Sequence, residues 1–273
     1  MTIYDSMIEA YHPQTPSQLL NGRHEVMQQI VLAGLDRGGF FDYAAFYGDT
    51  CLRIFHNLQR FSEDMDFSLL EQRDDIHIEH FFPAIVEEFK IIGKDVEIKR
   101  KDKKNFGKVE SAFLKETTEA YDVAFRTEKS VKIKIELDTC PPLRFATEQK
   151  VLHQPYSFMT RCFCLSDLFA GKMHALVYRN WKTRIKGRDW YDFEWYVANG
   201  TTLDFIHLQE RIRQFNGEEV TQELFTQLLR ERLASANIEQ VKQDVLPFVR
   251  EPRSLDIWSN EYFLMLADKI RFL

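Results

Sequence analysis

The spacing of apolar residues divides the chain into elements. Steps of three and four over residues 16–35 and 76–92 predict two amphipathic helices. Alternation over residues 94–138 predicts antiparallel strands, most clearly in VKIKIELD at 131–138. There the apolar residues share one face, and the opposite face carries Lys132, Lys134, Glu136 and Asp138. After Gln154-Pro155 the period is helical to the end, with breaks at Asn199-Gly200, Asn216-Gly217 and Pro247.

Between the two helices, residues 40–70 predict a short strand, a glycine turn, a helix from about Thr50 and a strand that carries Asp64 and Asp66 on one side. Strands mixed with helices therefore fill the first half, and helices fill the second. This order predicts an α/β (α+β) fold, with a mixed sheet and flanking helices over residues 1–164 and an all-helical domain over residues 165–273.

Composition adds little to this outline. The chain has 44% hydrophobic residues, 23 Phe and 29% charged residues, which is ordinary for a globular protein. Its net charge of -6 gives no global attraction to nucleic acid. The four cysteines show no disulfide framework, the first residues lack the basic start of a signal peptide, and no apolar run approaches the roughly 20 residues that span a bilayer. We therefore expect a cytoplasmic protein without a membrane partner.

Asp64 and Asp66 are separated by one residue on a predicted strand, so both side chains point to the same face. Carboxylate oxygens are the ligands that Mg²⁺ takes, and nucleotidyl transfer uses such a cation to neutralise phosphate charge. A third carboxylate would complete the site, and Glu136 or Asp138 lies on the polar face of a suitable strand. We favour Glu136. By itself a D-x-D pair is commonplace on a solvated strand.

Gly48-Asp49-Thr50 lies at the predicted turn from strand to helix, where backbone N–H groups and the helix dipole attract phosphate. Gly48 would let the backbone approach a phosphate closely, and Thr50 could cap the helix or bond the phosphate. Asp49 would repel a phosphate unless its side chain turned away, and could instead serve a metal. A plain capped helix is the alternative reading.

Two further groups lie in the helical half. Lys172, Leu176 and Arg179 are spaced at i, i+4 and i+7, which predicts one helix face with both cations directed outward at an anion such as a triphosphate. Asp189 and Asp192, at i and i+3, also share a face, and one of them could hold a cation in place or act as a base. In isolation, both groups are usual on a solvated helix.

Two basic segments are candidates for polynucleotide contact. The run at 99–108, KRKDKKNFGK, reads most simply as a solvated hairpin edge. We favour the second segment for an RNA backbone, because it adjoins Asp189; its cations are Lys182, Arg184, Lys186 and Arg188.

Taken in order, these motifs resemble the AbiEii-type nucleotidyltransferase toxins of abortive-infection toxin–antitoxin systems, in the DNA polymerase β-like superfamily. The first family motif, a glycine and a small hydroxyl residue before D-x-D, is similar to Gly48-x-Thr50 with Asp64-x-Asp66. The second, K-x-x-x-L-x-x-R, is similar to residues 172–179, the third, D-x-x-D, to residues 189–192, and a fourth to Asp244. Asp49 departs from the pattern, since family members more often have a small residue there.

The resemblance implies an enzyme that transfers nucleotide from a nucleoside triphosphate, releases pyrophosphate and needs Mg²⁺, or Mn²⁺ in its place. The expected catalytic residues are Asp64, Asp66, Lys172 and Asp189. The expected nucleotide-binding residues are Gly48, Thr50, Lys172, Arg179 and Asp192. The expected metal ligands are Asp64, Asp66 and Glu136.

The resemblance also implies partners. The acceptor would be tRNA at its 3′ end, and the outcome would be growth arrest. A cognate AbiEi-type antitoxin would bind the chain and repress transcription itself, so we expect no DNA binding by this chain. Two alternatives stay open: nucleotidyl transfer to a small molecule such as an antibiotic, and a non-catalytic nucleotide-binding module.

Overall fold

The computed structural model describes residues 2–101, 118–126, 131–179 and 185–273. The chain divides into two compact units. We call them the sheet unit, formed by Met1–Asn57, Ser62–Pro141 and Thr147–Cys162, and the helical unit, formed by Leu58–Phe61, Pro142–Ala146 and Phe163–Leu273. The predicted domains meet at a single cut after residue 164, whereas here two short segments from the first half join the helical unit.

The sheet unit contains, among the described residues, one sheet of seven strands in the order β3-β4-β5-β2-β1-β7-β6. The strands are β1 (Ala44–Tyr47), β2 (Asp64–Leu69), β3 (Val96–Arg100), β4 (Thr118–Phe125), β5 (Lys132–Asp138), β6 (Thr147–Leu152) and β7 (Phe158–Phe163). β2 runs antiparallel to β1 and parallel to β5, and β4 runs antiparallel to both of its neighbours, β3 and β5. The sheet is therefore mixed, as the sequence predicts.

Side-chain alternation sets the faces of the two central strands. In β5, Ile133, Ile135 and Leu137 are buried, while the residues between them are partly or fully exposed. In β2, Met65 and Phe67 are buried, and the aspartates on either side of Met65 are partly exposed. The predicted periodicity of both strands is confirmed, because a strand that buries one face must alternate apolar and polar positions.

Four helices complete the sheet unit in its described part: α1 (Ile3–Glu9), α2 (Pro16–Arg37), α3 (Gly48–His56) and α4 (Phe82–Ile91). A 3-10 turn, Ile78–Phe81, leads into α4. Helices α2 and α4 pack closely at Gly34, where an added Cβ would lie 2.6 Å from the Cα of Ile85. The helix predicted at 16–35 is confirmed, and the helix predicted at 76–92 is shorter, because it begins at Phe82 after the 3-10 turn.

The helical unit contains six described helices: α5 (Leu165–Tyr178), α6 (Gly187–Ala198), α7 (Phe205–Asn216), α8 (Gln222–Ser235), α9 (Ile238–Val245) and α10 (Asn260–Ala267). It is not wholly helical, because β8 (Thr202–Leu203) and β9 (Arg271–Phe272) form a short parallel pair. Such two-residue strands are too short to leave a periodic signal.

Strand β6 lies before Gln154-Pro155, where the sequence predicts no element, and strand β7 lies after it, where the sequence predicts helices, so the helical prediction is wrong for Phe158–Phe163. β6 reads TEQKVL, a largely polar run whose residues are all at least partly exposed at the edge of the sheet, so it lacks the apolar alternation of β2 and β5. Within the described ranges, no helix is both long enough and apolar enough to cross a bilayer. The α/β (α+β) class is confirmed.

Candidate functional site

The predicted metal-binding residues share one face of the sheet unit. Asp66 of β2 lies directly opposite Glu136 of the parallel strand β5, and Asp64 lies opposite Lys134. Because residues two apart on a strand point the same way, all four side chains leave the sheet on one side. We call Asp64, Asp66 and Glu136 the acid cluster.

The acid cluster carries more negative charge than its surroundings balance. Burial raises the pKa of Asp66 well above its usual range, and the neighbouring charges of Glu136, Asp64 and Asp49 raise it further. Lys134 opposes these effects. Its Nζ lies 2.9 Å from Oε1 of Glu136 and 3.6 Å from Oδ2 of Asp64, and its side chain is 15% exposed.

The chemistry of the acid cluster suits a hard divalent cation, which takes carboxylate oxygens and would offset the repulsion that adds to burial in raising the pKa of Asp66. The predicted triad is nevertheless not assembled as a cage. Among the described residues, no three acidic, imidazole or thiol side chains stand close enough together to hold a metal ion. The amine of Lys134 instead contacts two of the three predicted ligands, Asp64 and Glu136.

Gly48 makes room for the acid cluster. The residue has φ +79°, and a Cβ added to it would lie 2.6 Å from Oδ2 of Asp66. Helix α3 begins at Gly48, so Thr50 is its third residue and cannot be its N-cap, contrary to one of the two predicted roles. A side chain at position 48 would therefore need both a left-handed backbone and the space of the Asp66 carboxylate.

Thr50 supports the strand that carries the aspartates. Its side chain is fully buried, and its hydroxyl donates a hydrogen bond to the backbone carbonyl of Asp64. The same hydroxyl is 2.8 Å from the hydroxyl of Ser62. Gln28 of α2 donates to the backbone carbonyls of Ser62 and Glu63, at 3.1 and 3.0 Å. These contacts hold the residues that lead into β2. The side chain of Thr50 contacts the backbone of Asp64 and does not face solvent.

The helical unit holds a second group of charged residues, which we call the ion-pair cluster: Arg60, Lys172, Arg179, Asp189 and Asp192. Nζ of Lys172 lies 2.7 Å from Oδ2 of Asp192 and 2.9 Å from Oδ1 of Asp189. Arg60 donates to both carboxylate oxygens of Asp192, through Nε at 2.6 Å and Nη2 at 2.5 Å. Nη1 of Arg179 is 3.5 Å from Asp189. Two aspartates on one face of α6 thus connect three cations.

The ion-pair cluster corrects the predicted helix face. The side chain of Lys172 is only 9% exposed and turns to the aspartates of α6, so it is not directed outward at an anion. Arg179 lies past the end of α5, as its C-cap residue with an extended backbone. Spacing at i, i+4 and i+7 describes a continuous helix, and α5 ends one residue before the last of these positions.

Residues of the second and third motifs thus contact one another. In the first motif, Gly48 and Thr50 both lie close to the strand that carries Asp64 and Asp66. A sequence model described as "Nucleotidyl transferase AbiEii toxin, Type IV TA system" matches residues 30–268, most of the chain. The chain belongs to this AbiEii family.

Two solved structures from Helicobacter pylori are similar to the chain. One is named "putative nucleotidyltransferase from H. pylori", is 16% identical, covers 89% of each chain and has a TM-score of 0.49. The other, JHP933, is 15% identical, covers 90% of this chain and 88% of its own, and also has a TM-score of 0.49. At this level of similarity neither structure bears on function. No curated protein sequence matches the chain.

Asp244, the predicted fourth motif residue, contacts the start of the helix that carries the third motif. Its Oδ2 accepts a hydrogen bond of 2.9 Å from the backbone N–H of Gly187, the first residue of α6. A Cβ on Gly187 would lie 2.1 Å from the carbonyl oxygen of Val241, so only glycine lets α6 approach α9 this closely. A carboxylate at a helix N-terminus also stabilises the helix dipole, which steadies Asp189 in the first turn.

In this AbiEii-family chain, two residues that contact the predicted site residues do not belong to the sequence motifs. Arg60 looks like part of a polar connection before β2, yet its side chain is completely buried. No local pattern could reveal its partner, since Asp192 is 132 residues away. Lys134 did leave a signal, because the alternation of β5 puts it on the same face as Glu136.

The basic segments are described only in part. Residues 102–108, with Lys182 and Arg184, lie outside the described residues. Of the described cations, Lys99 is 2.8 Å from Glu97, and the guanidinium of Arg188 lies 4.4 Å from the ring centre of Phe248. Contact with RNA through either segment stays a prediction.

Proposed function

We propose that this member of the AbiEii family transfers a nucleoside monophosphate from a nucleoside triphosphate to the 3′ end of a tRNA. The acceptor hydroxyl would attack the α-phosphorus, the bond between the α-phosphorus and the bridging oxygen would break, and pyrophosphate would leave. The observation that carries the proposal is the acid cluster, in which Asp64, Asp66 and Glu136 share one sheet face beside the glycine turn at Gly48.

The acid cluster would hold Mg²⁺, or Mn²⁺ in its place, through the carboxylates of Asp64 and Asp66, with Glu136 as the third acid. A bound cation would supply charge neutralisation for the phosphate oxygens. Gly48 would leave space for the Asp66 carboxylate at the start of α3, where backbone N–H groups favour a phosphate. Thr50 would act one step away, by holding the backbone of Asp64 through its hydroxyl.

The ion-pair cluster would supply positive charge for the triphosphate. It joins three cations to two carboxylates, so its cations outnumber its carboxylates by one among these contacts. Lys172 and Arg179 would contact phosphate oxygens, with Asp189 holding both of them in place. The alternative for Asp189, a base near the acceptor hydroxyl, stays open. Asp192 has no exposed surface, so its part in nucleotide binding would be indirect, through Lys172.

The proposed function implies two macromolecular partners, a tRNA and an antitoxin. Binding of tRNA by the basic segments should weaken with added salt, since phosphate contacts release counterions. A cognate AbiEi-type antitoxin would bind the toxin and restrain growth arrest. Repression of transcription would belong to that antitoxin, so no DNA binding is proposed for this chain.

The test is a labelling reaction with total tRNA and each α-labelled nucleoside triphosphate, with Mg²⁺ or with a chelator. Wild type should label tRNA only with Mg²⁺, and tRNA whose 3′ terminal diol has been oxidised with periodate should take no label. Asp64→Ala should reduce labelling by about a thousandfold, because a metal ligand that neutralises phosphate charge is lost.

Glu63→Ala is the matched control, since it removes an exposed carboxylate from the neighbouring residue and should label like wild type. Equal labelling by wild type and Asp64→Ala would contradict the assignment of the site. Label that never enters tRNA, but appears in a small molecule, would contradict the acceptor and leave the nucleotidyl transfer intact.

A further inference from the structure

Lys134 occupies a position for which the family motifs give no role. It lies on β5 two residues before Glu136 and directly opposite Asp64 of β2. Its ammonium group contacts Glu136 at 2.9 Å and Asp64 at 3.6 Å. The amine therefore lies between two of the three carboxylates that the proposed function assigns to a divalent cation.

We propose that Lys134 is a positioning residue of the acid cluster: its ammonium group stands in for the divalent cation in the metal-free protein and must move aside when the cation binds. The inference rests on the proposed function, because it requires that the acid cluster bind a metal. It goes further because it names the side chain that neutralises the carboxylates in the metal-free protein. That side chain would compete with the metal for Asp64 and Glu136.

Charge supports this role. Three carboxylates on one face of adjacent strands repel one another, and the pairing of β2 with β5 brings Asp66 directly opposite Glu136. One ammonium group neutralises part of the charge and still leaves a surplus that attracts a divalent ion. The same amine contacts Asp64 and Glu136, and within the described residues no three acidic, imidazole or thiol side chains converge as a metal cage.

The chemistry of lysine supports the exchange. Its ammonium is a point charge on a flexible four-carbon stem, so it can leave two carboxylates without disturbing the backbone that carries it. The side chain of Lys134 is 15% exposed, so one side of it already borders solvent. When Asp64 and Glu136 hold a divalent cation, the ammonium group of Lys134 would turn towards solvent.

Lys132 provides a matched comparison on the same strand face. It pairs with Asp122 of β4, and its side chain is 53% exposed. If Lys134 were only another cross-strand ion pair, replacing either lysine would lower stability and leave metal binding unchanged. If Lys134 competes with a metal, only its replacement should change metal binding, because its partners are the proposed metal ligands and those of Lys132 are not.

The first experiment measures binding of Mn²⁺ alone, without nucleotide, by the electron paramagnetic resonance signal of the free ion. Lys134→Met should bind Mn²⁺ at least about tenfold more tightly than wild type, since a competing cation beside the ligands is lost. Its thermal midpoint should be lower than that of wild type in chelator and should recover with Mn²⁺. Lys132→Met should bind Mn²⁺ with the affinity of wild type.

A second measurement uses the wild-type protein, so it decides the matter even if Lys134→Met does not fold. Amine acylation followed by peptide mass spectrometry should modify Lys134 slowly in chelator and several-fold faster with saturating Mn²⁺, whereas Lys132 should react equally in both. Unchanged acylation of Lys134 in a wild-type protein that demonstrably binds Mn²⁺ would overturn the proposal.

The outcomes separate this inference from the proposed function. If wild type binds Mn²⁺ and Lys134→Met binds it equally or more weakly, Lys134 does not compete with the metal, and the proposed nucleotidyl transfer is untouched. If neither protein binds Mn²⁺, the metal role of the acid cluster fails, and this inference fails with it.

Discussion

The acid cluster and the ion-pair cluster are built from similar residues but differ in charge balance and burial. In the acid cluster three carboxylates meet one ammonium group, and the side chain of Asp64 is 45% exposed. In the ion-pair cluster two carboxylates connect three cations, and both Arg60 and Asp192 are 0% exposed. The first group has surplus negative charge at the surface, and the second has nearly balanced charge inside the helical unit.

This difference separates two uses of charge in one protein. Buried charges must be paired, because leaving one of them without its partner costs far more than the pair contributes. Surplus charge near the surface costs less and is available to a ligand of opposite sign. Removal of one carboxylate should therefore have opposite effects on stability in the two clusters, and the following predictions test that contrast.

The largest expected effect is the loss of Asp192. Asp192→Ala leaves the guanidinium of Arg60 buried without the carboxylate that accepts its two hydrogen bonds. The free energy of unfolding should fall by about 3–5 kcal/mol. Urea unfolding followed by circular dichroism measures it. The control, Arg60→Met combined with Asp192→Leu, removes both charges and should lose much less stability. A loss below about 1 kcal/mol in Asp192→Ala would contradict the structural role.

Sequence patterns predict the acid cluster well and the ion-pair cluster only in part. Asp64, Asp66 and Glu136 are readable because strand alternation assigns each side chain to a face, and the pairing of β2 with β5 brings the faces together. The contacts of Lys172 are different, since they depend on how α5 packs against α6. A helical period tells which residues share a face but not whether that face meets solvent or another helix.

Sequence patterns do not predict the burial of Arg60 or the edge strand β6. Arg60 is buried by a partner far along the chain, which no local pattern contains. β6 is mostly polar because it lies at the edge of the sheet, so its alternation is too weak to predict a strand. Tertiary packing determines both the burial of Arg60 and the strand conformation of β6, and neither leaves a periodic pattern in the sequence.

A smaller effect is expected at Gly48. Gly48→Ala requires a left-handed backbone at φ +79° and puts a Cβ 2.6 Å from Oδ2 of Asp66. Stability should fall by about 1–2 kcal/mol for the backbone alone, and displacement of Asp66 should weaken Mn²⁺ binding at least about tenfold. Calorimetric unfolding and a Mn²⁺ titration measure the two effects.

Gly93→Ala is the control for Gly48→Ala. Gly93 lies in the same unit with φ +76°, and an added Cβ would meet nothing within 4 Å. This variant should lose a similar backbone contribution to stability and should bind Mn²⁺ as wild type does. Equal Mn²⁺ affinity in both variants would show that the space beside Asp66 has no part in metal binding.

The smallest expected effect is a gain of stability in Asp66→Asn, measured without metal. The pKa of Asp66 in the folded protein lies above its usual 3.8, because of burial and then of Glu136, Asp64 and Asp49. At a pH above this raised pKa the ionised carboxylate therefore destabilises the folded state, and the neutral amide should be more stable by about 1 kcal/mol. As the pH falls through the raised pKa, the folded wild type takes up the proton and the difference should disappear.

Urea unfolding of wild type and Asp66→Asn in chelator, from pH 8 to pH 4, measures this difference, and Mg²⁺ at pH 8 should stabilise wild type alone. A difference that does not change with pH would contradict repulsion within the acid cluster. The sign is the informative result. Loss of one carboxylate should stabilise the metal-free protein at Asp66 and destabilise it at Asp192, because only the second carboxylate has a buried cation as its partner.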